Sequence, residues 1–133
     1  MPPGLGDGDY RRAYREIVEP IGRAFDPELV LVSAGFDPHR DDPIGRMAVT
    51  ASGFAELMDV CLAVASGAAR GRLVVVLEGG YDLDGIADST AAVVGRMLGR
   101  PLTTPDAAVR PGIERLLEAY RGVHGQYWPA LEP

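Results

Sequence analysis

Only one cysteine, Cys61, occurs in the chain, so no disulfide can close within it, and that scarcity suits a reducing compartment. Positive charge is also short: 13 Lys and Arg against 19 Asp and Glu leave a formal net charge of −6. That balance argues against a general nucleic-acid or anionic-membrane surface, and no direct nucleic-acid binding is expected. No apolar stretch approaches the roughly 20 residues that a transmembrane helix needs. Met1-Pro2-Pro3-Gly4 has neither the basic start nor the apolar run of a signal peptide. No membrane association is expected, and a cytoplasmic location is the default expectation. Internal repeats and low-complexity segments are missing, as is any Ser-His-Asp or Cys-His arrangement for nucleophilic catalysis.

What is present suits one folded unit. A chain of 133 residues with 47% hydrophobic content can bury a real core. Tyr10, Ala13, Tyr14, Ile17, Val18, Ile21 and Phe25 recur at helical spacing, with Asp7 or Asp9 as candidate caps. Pro20 falls inside that stripe and is expected to kink its last turn, and Asp26-Pro27 ends it. Arg11, Arg12 and Arg15 read as a solvated face of the same helix. The apolar run Leu29-Val30-Leu31-Val32 reads as a buried strand, followed by a long loop from Ala34 to Val49.

A second helix is expected from Thr50 or Ser52, with Phe54, Leu57, Met58, Cys61, Leu62 and Ala65 on one face. Cys61 reads as a small buried hydrophobe there. Leu73-Val74-Val75-Val76-Leu77 is the second strand, and Asp82 or Asp84 opens a third helix that Gly99 and Pro101 stop. A short fourth helix carries Ile113, Leu116, Leu117 and Tyr120, and Trp128 is placed to pack back as a clasp. Strand, crossover helix, strand makes a parallel pair. Parallel sheets are normally wider and buried on both faces, so the segment reads as part of a larger sheet.

Both strands end in chemistry. In open α/β sheets, ligands bind outside the carboxyl ends of the strands. The first end is Ser33-Ala34-Gly35-Phe36-Asp37-Pro38-His39-Arg40-Asp41-Asp42-Pro43, and the second is Glu78-Gly79-Gly80-Tyr81. Asp37, Asp41 and Asp42 are either metal ligands or, for Asp37 and Asp42, braces of loop turns. His39 reads as a neighbour of the site or a surface group rather than a ligand. Tyr81 either donates a hydrogen bond to a developing oxyanion or packs at a strand–helix turn. Glu78 is either a general base or a partner of loop amides. Gly79-Gly80 lacks the G-x-G-x-x-G pattern and the lysine of a phosphate loop, so phosphate binding is poorly supported. His124 has no identifiable partner in the sequence.

These two strand-end motifs, Leu31 through Asp37 with Asp42-Pro43-Ile44-Gly45, and Gly71-Arg72-Leu73 through Leu83, resemble the histone deacetylase family. The closer likeness is to its class II, acetoin-utilisation and acetylpolyamine-amidohydrolase branch, and it covers about Pro2 to Leu98. The resemblance implies an arginase/deacetylase-type α/β fold, a parallel sheet between helical layers in a three-layer α/β/α arrangement. It implies zinc-dependent hydrolysis of an acetyl amide, with acetylated lysine or an acetylated small amine as the partner. Asp37 matches a zinc ligand, Tyr81 the tyrosine that binds the acetyl carbonyl, and Ile44 a residue of the substrate channel. Gly80 belongs to the same substrate-binding stretch.

The family also has an upstream His-His pair and an upstream D-x-H pair, and neither occurs in this sequence. The expectation is therefore a single segment over 1–133, the C-terminal part of a deacetylase domain with a helical tail at 99–133. It is expected to be inactive, and not to hold zinc tightly, without the N-terminal part. Two other readings stay open: a non-catalytic structural or partner-binding remnant of the fold, and an arginase-like ureohydrolase segment, which Glu78-Gly79-Gly80-Tyr81 fits poorly.

Overall fold

The apolar stripe that begins at Tyr10 folds as a single helical rod with a change of register in its middle. In the computed structural model, which describes residues 1–101 and 107–131, the rod comprises α1 (Asp7–Ala13), a π-helical turn (Tyr14–Val18) and α2 (Glu19–Phe25). Pro20 therefore does not break the last turn as expected. Proline brings no N–H, and the rod opens one turn earlier, where the Glu19 N–H donates to the Tyr14 carbonyl. Pro20 then falls in the first turn of α2, where a missing donor is tolerated. Asp26, in a left-handed conformation at φ 53°, ends α2 just before Pro27.

Gly6 holds the cap position, Asp9 serves the cap from the third helical residue, and Asp7 does not cap the rod. Asp9 reaches back to accept the Gly6 N–H at 3.1 Å, while its other oxygen accepts the Arg110 N–H at 2.8 Å. Asp7 accepts both the N–H and the hydroxyl of Thr50 at 2.7 Å. Thr50 is in turn the cap of α3 (Ala51–Gly67), its hydroxyl accepting the Gly53 N–H. Both acids thus fasten distant segments to the start of the chain.

Strands β1 (Val30–Ala34) and β2 (Leu73–Leu77) pair in parallel, Val30 opposite Leu73 and Ala34 opposite Leu77. β1 starts one residue later than the apolar run and takes in Ser33 and Ala34. α4 (Leu83–Met97) is capped by Asp82, and Gly99 at φ +72° follows its end. α5 (Ile113–His124) runs a turn beyond Tyr120, and a 3-10 turn (Pro129–Leu131) closes the described chain. The ring of Trp128 meets Phe25 edge-on at 6.3 Å, the expected clasp. Residues 102–106 and 132–133 of the tail expected to be helical lie outside the described residues.

Phe36, Val49, Phe54, Leu57, Met58 and Val93 form the main core, with Val32, Ala34, Leu73 and Val75 packed on it. The alternate strand residues point the other way. Leu31 is 68% exposed, and Val74 and Val76 lie about as open as surface residues. The described residues thus supply one helical layer and the sheet, two layers of the expected three. A second cluster, Leu5, Ala13, Ile113 and Leu117, seats α5 against α1. Arg11 pairs with Glu56 on α3, and Arg12 with Glu16 and with Glu114 on α5, so they are not a solvated face; Arg15 is exposed. Among the described residues, no helix is long and apolar enough to cross a membrane.

Candidate functional site

Because β1 and β2 run parallel, Asp37 and Tyr81 leave the sheet at the same edge. The ladder continues past both strands: Glu78 N–H donates to the Ala34 carbonyl at 3.0 Å and Phe36 N–H to the Gly79 carbonyl at 2.8 Å. The Asp37 carboxylate lies in the notch this creates. A β carbon on Gly79 would stand 2.3 Å from Asp37 Oδ2, and one on Gly35 would stand 2.9 Å from the same oxygen. Glycine at those positions makes room for a carboxylate at the strand ends.

Gly80 has a different reason to be glycine. It sits at φ +122°, and a β carbon there would meet Ile86 Cγ1 at 2.9 Å and Phe36 Cβ at 3.1 Å. Beyond it the Tyr81 side chain is 60% exposed, open to a ligand rather than packed at a strand–helix turn. Glu78 is exposed at the same rim.

The long loop is ordered by its own backbone. Arg40 N–H donates to the Val49 carbonyl and Val49 N–H to the Pro38 carbonyl, which folds the loop onto itself. Gly45 sits so close that a β carbon would fall 1.6 Å from the Asp37 carbonyl oxygen. Asp42, 8% exposed, closes the tip: its Oδ1 accepts the Ile44 and Gly45 N–H groups, each at 2.8 Å. Its Oδ2 accepts the Tyr81 N–H at 2.7 Å. Desolvation pushes the Asp42 carboxyl up, but the N–H groups of Gly45, Ile44, Tyr81 and Asp82 outweigh it and hold it below the usual carboxylate range. One carboxylate therefore brings Ile44, which is 61% exposed, and Tyr81 to the same rim.

His39 is buried, not on the surface. Its ring stacks on Phe54 at 6.5 Å, its Nδ1 accepts the Asp41 N–H at 3.3 Å, and Gly85 of α4 closes over it. His124 stacks on Tyr120 at 6.2 Å, away from either strand end in the sequence. Cys61 is half-buried on α3, where burial pushes its thiol up, in keeping with a packing role.

A family model described as "Histone deacetylase domain" matches residues 1–97. The chain belongs to the histone deacetylase family. The "Probable deacetylase" of Archaeoglobus fulgidus is 36% identical over 147 residues, covering 99% of this chain and 41% of that protein. The human "Polyamine deacetylase HDAC10" is 39% identical over 132 residues, covering 97% of this chain and 19% of that protein. The solved structure of the histone deacetylase Clr3 superposes with a TM-score of 0.90 at 34% identity, over 99% of this chain and 22% of that one. The chain thus spans less than half the length of the relatives it matches, and its fold is a partial α/β deacetylase fold.

Deacetylases of this family are generally zinc-dependent, and a catalytic zinc takes three protein ligands and a water. Among the described residues, no group of three His, Cys, Asp or Glu side chains is placed to hold a metal ion. Asp37 offers one carboxylate; Asp42 is engaged by backbone amides and His39 is packed in the core. These residues alone do not fit a complete deacetylase zinc site. The function of Asp42 in joining the two loops was not legible as such. Asp42-Pro43-Ile44-Gly45 signals a local side-chain-to-backbone turn, but its bond to Tyr81 spans 39 residues and leaves no local trace.

Proposed function

We propose that this chain supplies the C-terminal part of a zinc-dependent deacetylase acting on acetyl-lysine or acetylpolyamine-type amides. Asp37 is the one zinc ligand it contributes, and Tyr81 is its catalytic residue. Ile44 and Gly80 line the approach to the acetyl group. The observation that carries the reading is the pairing of two strand ends at one edge, an acid seated between Gly35 and Gly79 and an open phenol beyond Gly80.

The chemistry that this chain's own residues can perform is limited and specific. As a nucleophile adds to an acetyl carbonyl, negative charge grows on the carbonyl oxygen. The Tyr81 O–H donates a hydrogen bond to that oxygen, and a well-placed donor of this kind is worth about 3 to 4 kcal/mol in the transition state. Gly80, at φ +122° with Ile86 and Phe36 where a side chain would go, sets the turn that presents Tyr81. Zinc would need ligands from outside the described residues, so the isolated chain is proposed to be inactive.

Two measurements test this. The isolated 133-residue chain should neither retain one tightly bound zinc nor turn over an acetyl-lysine peptide or an acetylated polyamine. One firmly held zinc per chain, lost in Asp37→Ala, overturns that part. In a chimera where this chain replaces the matching segment of the Archaeoglobus fulgidus protein, Tyr81→Phe should lower kcat by about 100- to 1000-fold with zinc retained. An unchanged rate removes Tyr81 from its role.

A further inference from the structure

We propose that Asp42 is the positioning residue of this site, a latch whose second carboxylate oxygen fixes where Tyr81 stands relative to Ile44. The inference rests on the reading of Tyr81 as the oxyanion donor and Ile44 as a channel residue. It adds a residue that contacts neither substrate nor metal and acts through the backbone.

A turn of the Asp42-Pro43-Ile44-Gly45 kind needs one acceptor oxygen, and Oδ1 supplies it to both Ile44 and Gly45. Oδ2 is surplus to the turn and is aimed at the Tyr81 N–H, 2.7 Å away and 39 residues along the chain. A loop brace alone would leave that oxygen to water. Here the residue is 8% exposed, and a desolvated carboxylate is tolerated only with such donors around it.

Tyr81 needs an anchor of this kind. It follows two glycines, one of them at φ +122°, and its side chain is mostly in solvent. Two glycines in a row give this backbone wide freedom, and the bonds on either side, Phe36 N–H to the Gly79 carbonyl and the Asp82 cap of α4, do not hold Tyr81 itself. The bond to Asp42 pins it at the residue's own N–H, next to the α carbon from which the ring projects. The same carboxylate holds the Ile44 N–H, so the wall of the channel and the oxyanion donor move as one piece.

The test uses the ¹⁵N-labelled 133-residue chain and amide hydrogen exchange in the wild type, Asp42→Asn and Asp42→Ala. Asparagine can keep an oxygen toward Ile44 and Gly45 but presents an amide NH₂ to the Tyr81 N–H. Losing a bond to a charged acceptor should speed Tyr81 exchange by about tenfold or more in both variants. Ile44 and Gly45 should follow in Asp42→Ala, while Val60 and Val64 of α3 stay unchanged. The Tyr81 ring resonance, assigned through Tyr81→Phe, should shift and sharpen in Asp42→Asn as the residue is freed. Tyr81 exchange and ring signal that match the wild type in Asp42→Asn overturn the latch. Asp42→Asn alone decides the matter if Asp42→Ala does not fold. Exchange requires no activity, so a failed latch is distinct from a failed catalytic assignment, which the Tyr81→Phe rate in the chimera reads separately.

Discussion

Replacing Gly79 with alanine should expel the Asp37 carboxylate from its notch, and the cost should depend on Asp37 being there. Gly79 is not among the glycines at positive φ, so its backbone accepts alanine and the new methyl is the whole perturbation. That methyl would sit 2.3 Å from Asp37 Oδ2 and 3.0 Å from Cγ and Oδ1, roughly 1 Å inside ordinary van der Waals contact. The carboxylate is a side chain and can rotate away, at a cost of about 1 to 3 kcal/mol for overpacking. Removing it first removes the clash. In a double-mutant cycle, Gly79→Ala and Asp37→Ala should therefore couple by about 1 to 2 kcal/mol, the double variant being more stable than the sum of the singles. Urea unfolding followed by circular dichroism measures each corner, with m held constant across the four proteins. Gly45→Ala is the control, because its methyl would fall 1.6 Å from the backbone carbonyl oxygen of Asp37. Asp37→Ala leaves that oxygen in place and should not rescue it. Costs at Gly79 and Asp37 that add within about 0.3 kcal/mol would refute the seating of Asp37 between the strand ends.

Leu117 has no exposed surface in the cluster that seats α5, so Leu117→Ala should destabilise the fold by about 2 to 5 kcal/mol in the same unfolding assay. Asp42 is held below the ordinary carboxylate range in the folded chain, so its contribution is full above the unfolded value near about 3.9 and is lost as pH falls through the lower folded value. Asp42→Asn should accordingly flatten the acid limb of stability against pH; an unchanged limb contradicts the assignment. Cys61 is half-buried and burial pushes its thiol up, so an aromatic disulfide reagent at neutral pH should label it far more slowly in the folded chain than in urea.

The periodic elements were legible because their signals are local. The helices, the Thr50 and Asp82 caps and the two strands are each set by residues within a dozen positions, and the structure keeps them. Burial is less local, since Val18 and Phe25 of the first stripe and Leu29 and Leu31 of the run expected to be a buried strand are exposed. Pro20 signals a disturbance but not its place, since the missing donor is absorbed as a π turn upstream of it. Arg11 and Arg12 looked solvent-facing because their partners, Glu56 and Glu114, are 45 and 102 residues away. Acids at a helix start signal a cap, and Asp9 provides one through the Gly6 N–H, but nothing local says that Thr50 will claim Asp7 or that Arg110 will take the second oxygen of Asp9. Asp37 and Tyr81 stood out through strand-end position and the motifs around them. Their mutual placement follows from the parallel pairing, which the strand–helix–strand order also implied.

The open side of the sheet has a consequence for how the chain behaves in solution. Leu31, Val74 and Val76 form an apolar ladder on a folded surface, of the kind most proteins show only while unfolded. Neither strand has a second neighbour among the described residues, so unpaired N–H and C=O groups flank that ladder. Exposed edges beside apolar faces are templates for strand addition and aggregation. Taken alone, the 133-residue chain would thus be prone to self-association through this face even when every contact among its described residues is made. Its shelf life at high concentration would be set by how that one face is shielded rather than by the free energy of its core.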